Sequence, residues 1–207
     1  MSAPYDPAEA AAALAEADPV LGALIADVGP CTLAPRNQAP FPYLLRAVVY
    51  QQLAGKAAAT IHGRVLTLFD GAPTPEALLA LPDEPLRGAG LSRNKLAALR
   101  DLAAKILDGT VPADLDALRP LSDDEIVQRL TAVRGVGPWT AEMLLIFDLG
   151  RPDVLPITDL GVRSGFRLLH GLDDLPAPAA LRAHGERWRP WRSVAAWYLW
   201  RAADRGR

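Results

Sequence analysis

A single cysteine, Cys31, stands in a chain of 207 residues. One thiol cannot form an internal disulfide, a cysteine-rich zinc site or a four-cysteine iron–sulfur cluster, and it suits a reducing cytosol. Long apolar runs are missing as well, since charged residues make up 22% of the chain and leave no window of about 18 residues able to cross a bilayer. Met1–Ala10 carries neither the basic region nor the apolar stretch of a secretory signal, so a cytoplasmic protein without membrane contact is expected. No stretch of four to eight residues alternates apolar and polar between turn dipeptides, which argues against strands. No internal repeat, heptad array or low-complexity linker occurs. A Gly-x-Ser-x-Gly elbow is absent, which argues against a serine hydrolase. His62, His170 and His184 have no metal-ligand spacing and read as helix-face or helix-end residues.

What remains is apolar and helical. Half of the residues are hydrophobic, enough for a substantial core in one large domain or two small lobes. The net charge of −2 argues mildly against a nucleic-acid partner, but the charge is uneven. Residues 1–35 hold five acids and no Lys or Arg, whereas residues 186–207 hold six Arg against Glu186 and Asp204, so a basic surface is possible on an acidic chain.

Helix starts are well marked. Asp6-Pro7-Ala8-Glu9 sets a cap, a proline at the first helical position and an acid in the first turn, ahead of an Ala-rich run to about Asp27 that Gly29-Pro30 stops. Apolar residues recur at helical spacing over Phe41–Gln52 and Gly55–Phe69. Thr74-Pro75-Glu76 opens a short helix. Ser92 caps another, in which Leu96, Leu99, Ala103 and Ile106 form one stripe and Arg93, Lys95, Arg100 and Lys105 face outward. Ser122 with Glu125 is a capping box for a helix ending near Val133, and the Pro-rich stretch Asp173–Pro178 reads as an interhelical connection. The expected fold is all-α.

The segment Leu130-Thr131-Ala132-Val133-Arg134-Gly135-Val136-Gly137-Pro138-Trp139-Thr140-Ala141 joins a helix to an almost wholly apolar one. Gly135 and Gly137 can adopt positive φ and let a partner approach the backbone, while Val136 anchors the turn in the core. Pro138 starts the next helix, whose N–H groups and positive dipole end suit a phosphate. This is the outline of a helix-hairpin-helix that grips a DNA backbone; a plain tight turn between helices is the competing reading.

Further residues sharpen it. Asp159, in Val154-Leu155-Pro156-Ile157-Thr158-Asp159-Leu160-Gly161-Val162-Arg163, lies 22 positions after Gly137. Arg46-Ala47-Val48-Val49-Tyr50-Gln51-Gln52-Leu53-Ala54 and the tail Trp188-Arg189-Pro190-Trp191-Arg192-Ser193, followed by Trp197 and Trp200, complete an ordered set from about Phe41 to Trp200. In these features the chain resembles the helix-hairpin-helix DNA glycosylase superfamily, and within it the alkylation-repair enzymes of the DNA-3-methyladenine glycosylase II type.

That resemblance implies a fold of two helical lobes with the hairpin at the cleft between them, residues 1–53 plus 138–207 forming one lobe and 54–137 the other. It implies a hydrolase that flips alkylated purines, 3-methyladenine or 7-methylguanine, out of duplex DNA and cleaves the N-glycosidic bond, leaving an abasic site. Asp159 is then the catalytic carboxylate, either steadying the sugar cation or activating water, with Thr158 as the cap that sets it in the first turn of a helix. Trp139, Met143 one helical turn later and Trp200 line the pocket for a cationic base. Leu53 is the wedge filling the vacated stack, and Gln52 meets base edges beside it or caps its helix. The N–H groups of Gly135 and Gly137 and the Thr140 hydroxyl bind phosphate; Arg163 reaches another phosphate or stays solvated. The carbonyls of Thr131, Val133 and Val136 hold a structural sodium or potassium ion, and no other cofactor is expected.

Two departures narrow the reading. Trp139 stands where strand-cutting members of the family carry a lysine, so no Schiff base can form there and a monofunctional enzyme is expected. The chain also leaves no room for the amino-terminal β-domain of some relatives. Trp188, Trp191 and Trp197 are expected in the core. The partner is damaged double-stranded DNA, acted on by a monomer with no obligate protein partner. The rival readings are a non-catalytic helix-hairpin-helix DNA-binding protein, a glycosylase of the same fold for another lesion, and a bifunctional lyase.

Overall fold

The computed structural model describes residues 4–206. Those residues are helical, with no strand among them. They divide into two compact units, one built from the described residues up to Arg36 together with those from Leu145 on, the other from Asn37–Leu144.

The first unit opens with α1 (Pro7–Ala17) and α2 (Pro19–Val28). A single helix to Asp27 is the sequence expectation, and Pro19 is why two form. Proline has no N–H to give and disfavours helical geometry in the residue before it. Asp18 accordingly turns extended (φ −144°, ψ 95°), ends α1 and caps α2. Gly29 closes α2 at φ 86°, as its sequence position suggests.

The second unit contains α3 (Pro40–Tyr50), α4 (Gly55–Leu66), α5 (Pro75–Ala80), α6 (Asp83–Gly88), α7 (Arg93–Leu107), α8 (Leu115–Leu118), α9 (Asp123–Thr131) and α10 (Pro138–Leu144). Thr74, Ser92 and the Ser122/Glu125 capping box start α5, α7 and α9 as expected. The stripe Leu96, Leu99, Ala103 and Ile106 is buried. Its outward companions are less free than the pattern suggests, because Arg100 donates to the Leu78 and Leu81 carbonyls and to Asp83, tying α7 to α5 and α6. The short α6 and α8 have no sequence signal strong enough to announce them.

This division differs from a lobe boundary at residues 53 and 138. Both α3 and α10 belong with the middle of the chain: α3 packs on α4 and α7, and α10 packs on α9 and α3. The physical reason is their apolar faces, Phe41, Leu44, Leu45, Val48 and Val49 on α3 and Ala141, Met143 and Leu144 on α10, all of them buried.

The chain re-enters the first unit through one wide helical turn, Leu145–Leu149, followed by α11 (Leu160–Leu169), α12 (Pro178–Gly185) and α13 (Arg192–Arg205). Asp148 in the wide turn is wholly buried and pairs with Arg36 at 3.0 Å. Helix α13 is the spine of this unit, packing on α11, α2 and α1. Trp188 and Trp197 are buried as expected, whereas Trp191 is half-buried against Tyr5.

Candidate functional site

In the second unit, α7 is the strut that fixes the hairpin. Asp101 accepts the Arg134 N–H at 2.7 Å through one carboxylate oxygen and the Lys105 ammonium at 2.5 Å through the other. Burial pushes the Asp101 carboxyl up, but the Arg134 N–H and Lys105 outweigh it and hold the group below the usual carboxylate range. Lys95 reaches back to the Val49 carbonyl at 2.7 Å, satisfying a helix-end acceptor of α3. Gln51 donates to the Gly135 carbonyl at 2.9 Å, and the Tyr43 hydroxyl donates to the Thr140 carbonyl at 2.9 Å. The end of α3, the hairpin and α10 are thus locked together by side chains bonded to main chain.

The two hairpin glycines do different work. Gly135 sits at φ 76°, the left-handed region where a Cβ is strained. Gly137 does not, contrary to the expectation for both; its carbonyl accepts the Thr140 N–H at 3.0 Å, and a Cβ placed on it would meet nothing within 4 Å. Val136 is buried and anchors the turn, as expected. Beside the hairpin lies a hollow of about 360 Å³, lined in part by Gln51, Gln52, Ser92, Asn94, Lys95 and Arg134. Its polar lining, with two cations, suits an anion.

Three side chains of this unit stand out to solvent: Gln52 is exposed, Leu53 is 40% exposed and Trp139 is 47% exposed. Gln52 also has φ 57°, a conformation costing a non-glycine residue about 1 kcal/mol or more and therefore held by its surroundings. Thr140 and Met143 do not join them. Both are buried, at 5% and 7% exposure, because α10 turns them toward its packing partners. That burial leaves the Thr140 and Met143 side chains little solvent-facing surface beside the exposed Trp139. At the end of α9, Val133 already accepts the Val136 N–H at 3.0 Å, and the Thr131 hydroxyl folds back onto the Val127 carbonyl at 2.7 Å. The Thr131, Val133 and Val136 carbonyls are oxygen donors of the kind that suits a hard cation.

In the first unit, Asp159 is itself the cap of α11, so the cap is one residue later than Thr158. Its Oδ1 accepts two hydrogen bonds, from Val162 N and from Trp200 Nε1, both at 2.8 Å. The aspartate is half-buried at a helix N-terminus, where the dipole favours negative charge. Trp200 is positioned in turn by stacking on Phe147 at 5.4 Å. The sequence pairs Trp200 with a base; the structure pairs it first with the carboxylate.

That pairing depends on glycine. A Cβ on Gly161 would lie 2.7 Å from Trp200 Cδ1 and 3.1 Å from Asp159 Oδ1, and one on Gly165 would lie 1.9 Å from the Leu199 carbonyl oxygen. Two glycines four positions apart put the backbone of α11 directly against α13. The Gly-x-x-x-Gly spacing is legible in the sequence, and reading it would have found both residues. Asp101, Lys95 and Gln51 carried no such signal, since each side chain reaches a backbone group far along the chain, and Arg134 takes part through its own N–H.

Two expectations for basic residues are corrected. Arg163 donates its Nε–H to the Pro176 carbonyl at 3.0 Å and fastens the loop before α12. The basic tail is largely neutralised within its own unit: Arg189 and Arg192 pair with Asp153 at 2.6 Å, Arg205 pairs with Asp27, and Arg201 lies over the Trp197 ring.

Comparison with known proteins fits this geometry. Residues 45–190 match the model of the HhH-GPD superfamily of base excision DNA repair proteins. The chain is 41% identical over 166 residues to DNA-3-methyladenine glycosylase 1 of Schizosaccharomyces pombe, covering 79% of this chain and 72% of that protein. Among solved structures, it is similar to the S. pombe 3-methyladenine DNA glycosylase in complex with abasic DNA (TM-score 0.82, 37% identity, 93% of this chain and 95% of that one). It is also similar to a DNA-3-methyladenine glycosidase from Bacillus halodurans (TM-score 0.86, 36% identity, 97% of this chain and 91% of that one).

Proposed function

Because the chain belongs to the HhH-GPD superfamily of base excision DNA repair proteins, we propose that it is a monofunctional DNA glycosylase. It releases alkylated purines, 3-methyladenine and 7-methylguanine, from duplex DNA by base flipping and leaves an abasic site. The observation that carries this reading is the carboxylate of Asp159, whose Oδ1 is fixed by Val162 N and Trp200 Nε1.

Cleavage of an N-glycosidic bond builds positive charge on the sugar. A carboxylate already oriented by two donors stabilises that charge more than the neutral ground state, without reorganising during the reaction. Alkylation at a purine ring nitrogen makes the base cationic and a good leaving group, so no general acid is required. Trp139, exposed at the start of α10, offers an indole face to such a ring, an attraction of about 0.5–2 kcal/mol. Leu53 occupies the space of the extruded nucleotide, with Gln52 at base edges beside it. Gly135 and Gly137 face phosphate, and Lys95 and Arg134 beside the hollow add charge there.

The Thr131, Val133 and Val136 carbonyls would hold a sodium or potassium ion that stiffens the hairpin and takes no part in bond cleavage. The protein acts as a monomer on damaged DNA in the cytoplasm. No helix among the described residues is long and apolar enough to cross a membrane.

The test uses methylated duplex DNA under single turnover. Wild-type protein should free 3-methyladenine, and Asp159→Asn should slow release by at least about 10²-fold while damaged-DNA binding persists. The asparagine Oδ1 can still accept both hydrogen bonds, so the variant tests charge rather than folding. Release unchanged in Asp159→Asn would remove the catalytic assignment. A panel of single-lesion duplexes separates alkylated purines from uncharged lesions, and borohydride should trap no covalent adduct.

A further inference from the structure

Three side chains outside the proposed chemistry meet within the first unit. Asp18 comes from the α1–α2 junction, His170 from the residue ending α11, and His184 from α12; each offers one ligand atom, and these atoms all lie within 4.8 Å of one another. Asp18 is 2% exposed. Its Oδ1 accepts from Val20 N and Leu21 N, both at 3.2 Å, while Oδ2 accepts from Trp188 Nε1 at 3.0 Å and lies 2.9 Å from His184 Nε2. His170 completes the group with its ring 4.8 Å from that of His184 and 4.2 Å from Phe166, and its Nε2 is buried without a hydrogen-bond partner.

That nitrogen needs an explanation. A buried polar atom without a partner destabilises the fold, and the same ring packs on a second imidazole and brings one of its nitrogens within 4.8 Å of the ligand atoms of Asp18 and His184. Burial, and then the neighbouring His184, push the His170 pKa down from the ordinary imidazole value, a shift that favours the neutral ring a metal needs. Two imidazoles and one carboxylate are a donor set that zinc takes readily, with a water in the fourth position.

We propose that Asp18, His170 and His184 form a binding site for a divalent cation of the zinc class, which latches the α1–α2 junction to α11 and α12. Ordinary zinc bonds place neighbouring ligand atoms about 3.3 Å apart. His184 and Asp18 stand at 2.9 Å and need open by only a few tenths of an ångström, while the His170 nitrogen has to approach by up to about 1.5 Å, within reach of a ring swing. The cation takes the place of the His184 Nε2–Asp18 Oδ2 hydrogen bond; the coordinating ring then carries its single proton on Nδ1, and a second proton, where the ring begins as imidazolium, is released to solvent. Trp188 Nε1 goes on donating to the ligating carboxylate, the outer hydrogen bond that such sites use to orient a ligand. The absence of metal-ligand spacing in the sequence is thus no guide, because the three residues meet only through the packing of α2, α11 and α12.

The site is independent of base excision and is tested with zinc alone. The full chain, stripped with chelator, is titrated with Zn²⁺ by calorimetry, and its metal content and unfolding midpoint are measured. One zinc per chain and a midpoint raised by about 5 °C are expected. His170→Phe keeps the aromatic packing but removes the ligand; it should weaken zinc binding at least tenfold while the metal-free midpoint holds or rises. Asp18→Asn is the second variant, with its metal-free midpoint as the folding control, and it too should bind at least tenfold more weakly. Wild-type protein that takes up no stoichiometric zinc, or His170→Phe that binds it as tightly as wild type, overturns the proposal.

Discussion

Gly161→Ala tests whether the geometry around Asp159 matters. The new Cβ would stand 2.7 Å from Trp200 Cδ1, about 0.7 Å inside ordinary contact, and 3.1 Å from Asp159 Oδ1. A retreat of α11 as a whole would give up the close packing of the Gly165 backbone on Leu199, so the side chain yields first. The indole must move, and a retreat of that size stretches the 2.8 Å Trp200–Asp159 bond to roughly 3.5 Å, beyond useful hydrogen bonding. A hydrogen bond to a charged group contributes about 1.5–3 kcal/mol, and a reacting group misplaced by 1 Å can lose about 10² in rate. Single-turnover release of 3-methyladenine should therefore fall by about 10- to 100-fold. Stability should change less, since overpacking costs about 1–3 kcal/mol while alanine regains up to about 1 kcal/mol of helix propensity. A net loss of at most about 3 kcal/mol lowers the midpoint of a chain this size by no more than about 12 °C. The assay is run at 25 °C beside a thermal unfolding curve. A folded variant that releases base within twofold of wild type would show that the Trp200 hydrogen bond does not serve catalysis.

Two further outcomes concern the hairpin. Gly135→Ala forces a Cβ onto φ 76° and should destabilise the second unit by about 1 kcal/mol; DNA affinity measured at fixed salt should fall more than thermal stability does, because the strain is released by moving the backbone that meets phosphate. Asp101 has a depressed carboxyl, so its contribution to stability is full above the unfolded value of about 3.9 and is lost as pH falls through the lower folded value. Unfolding midpoints followed from pH 6 down to 2 should show wild type losing its advantage over Asp101→Asn in that acid window; parallel curves would refute the anchor role of the Asp101 charge.

The legible part of the fold was the local part. Caps such as Ser92 and the Ser122/Glu125 box act within four residues, so they can be read from a string, and so can the apolar stripe of α7. The residues that fix the site work across the fold. Asp101 reaches the Arg134 N–H, Lys95 the Val49 carbonyl and Gln51 the Gly135 carbonyl, and a backbone partner leaves no residue type to recognise. Arg163 shows the same difficulty from the other side, since a basic residue one turn after Asp159 looks free until its carbonyl partner at Pro176 is seen. Burial misleads in a similar way: Thr140 and Met143 sit at plausible positions along α10, but the helix faces them inward.

The carboxylate itself depends on a feature of backbone, not of side chains. Asp159 would remain a helix cap wherever α11 ran, because the Val162 N–H is local. What makes it more than a cap is the second donor, and Trp200 can deliver that only if α13 lies close enough for an indole on one helix to reach the first turn of the other. Gly165 sets that spacing, since a Cβ there would lie 1.9 Å from Leu199 O and 2.6 Å from Leu199 C, backbone atoms with no rotamer to escape into. Gly161 then keeps the gap between cap and indole clear. The sequence of constraints runs from helix crossing to hydrogen bond to fixed charge, which is why two residues with no side chain and no chemistry of their own bear on the proposed reaction through the aspartate they help to fix.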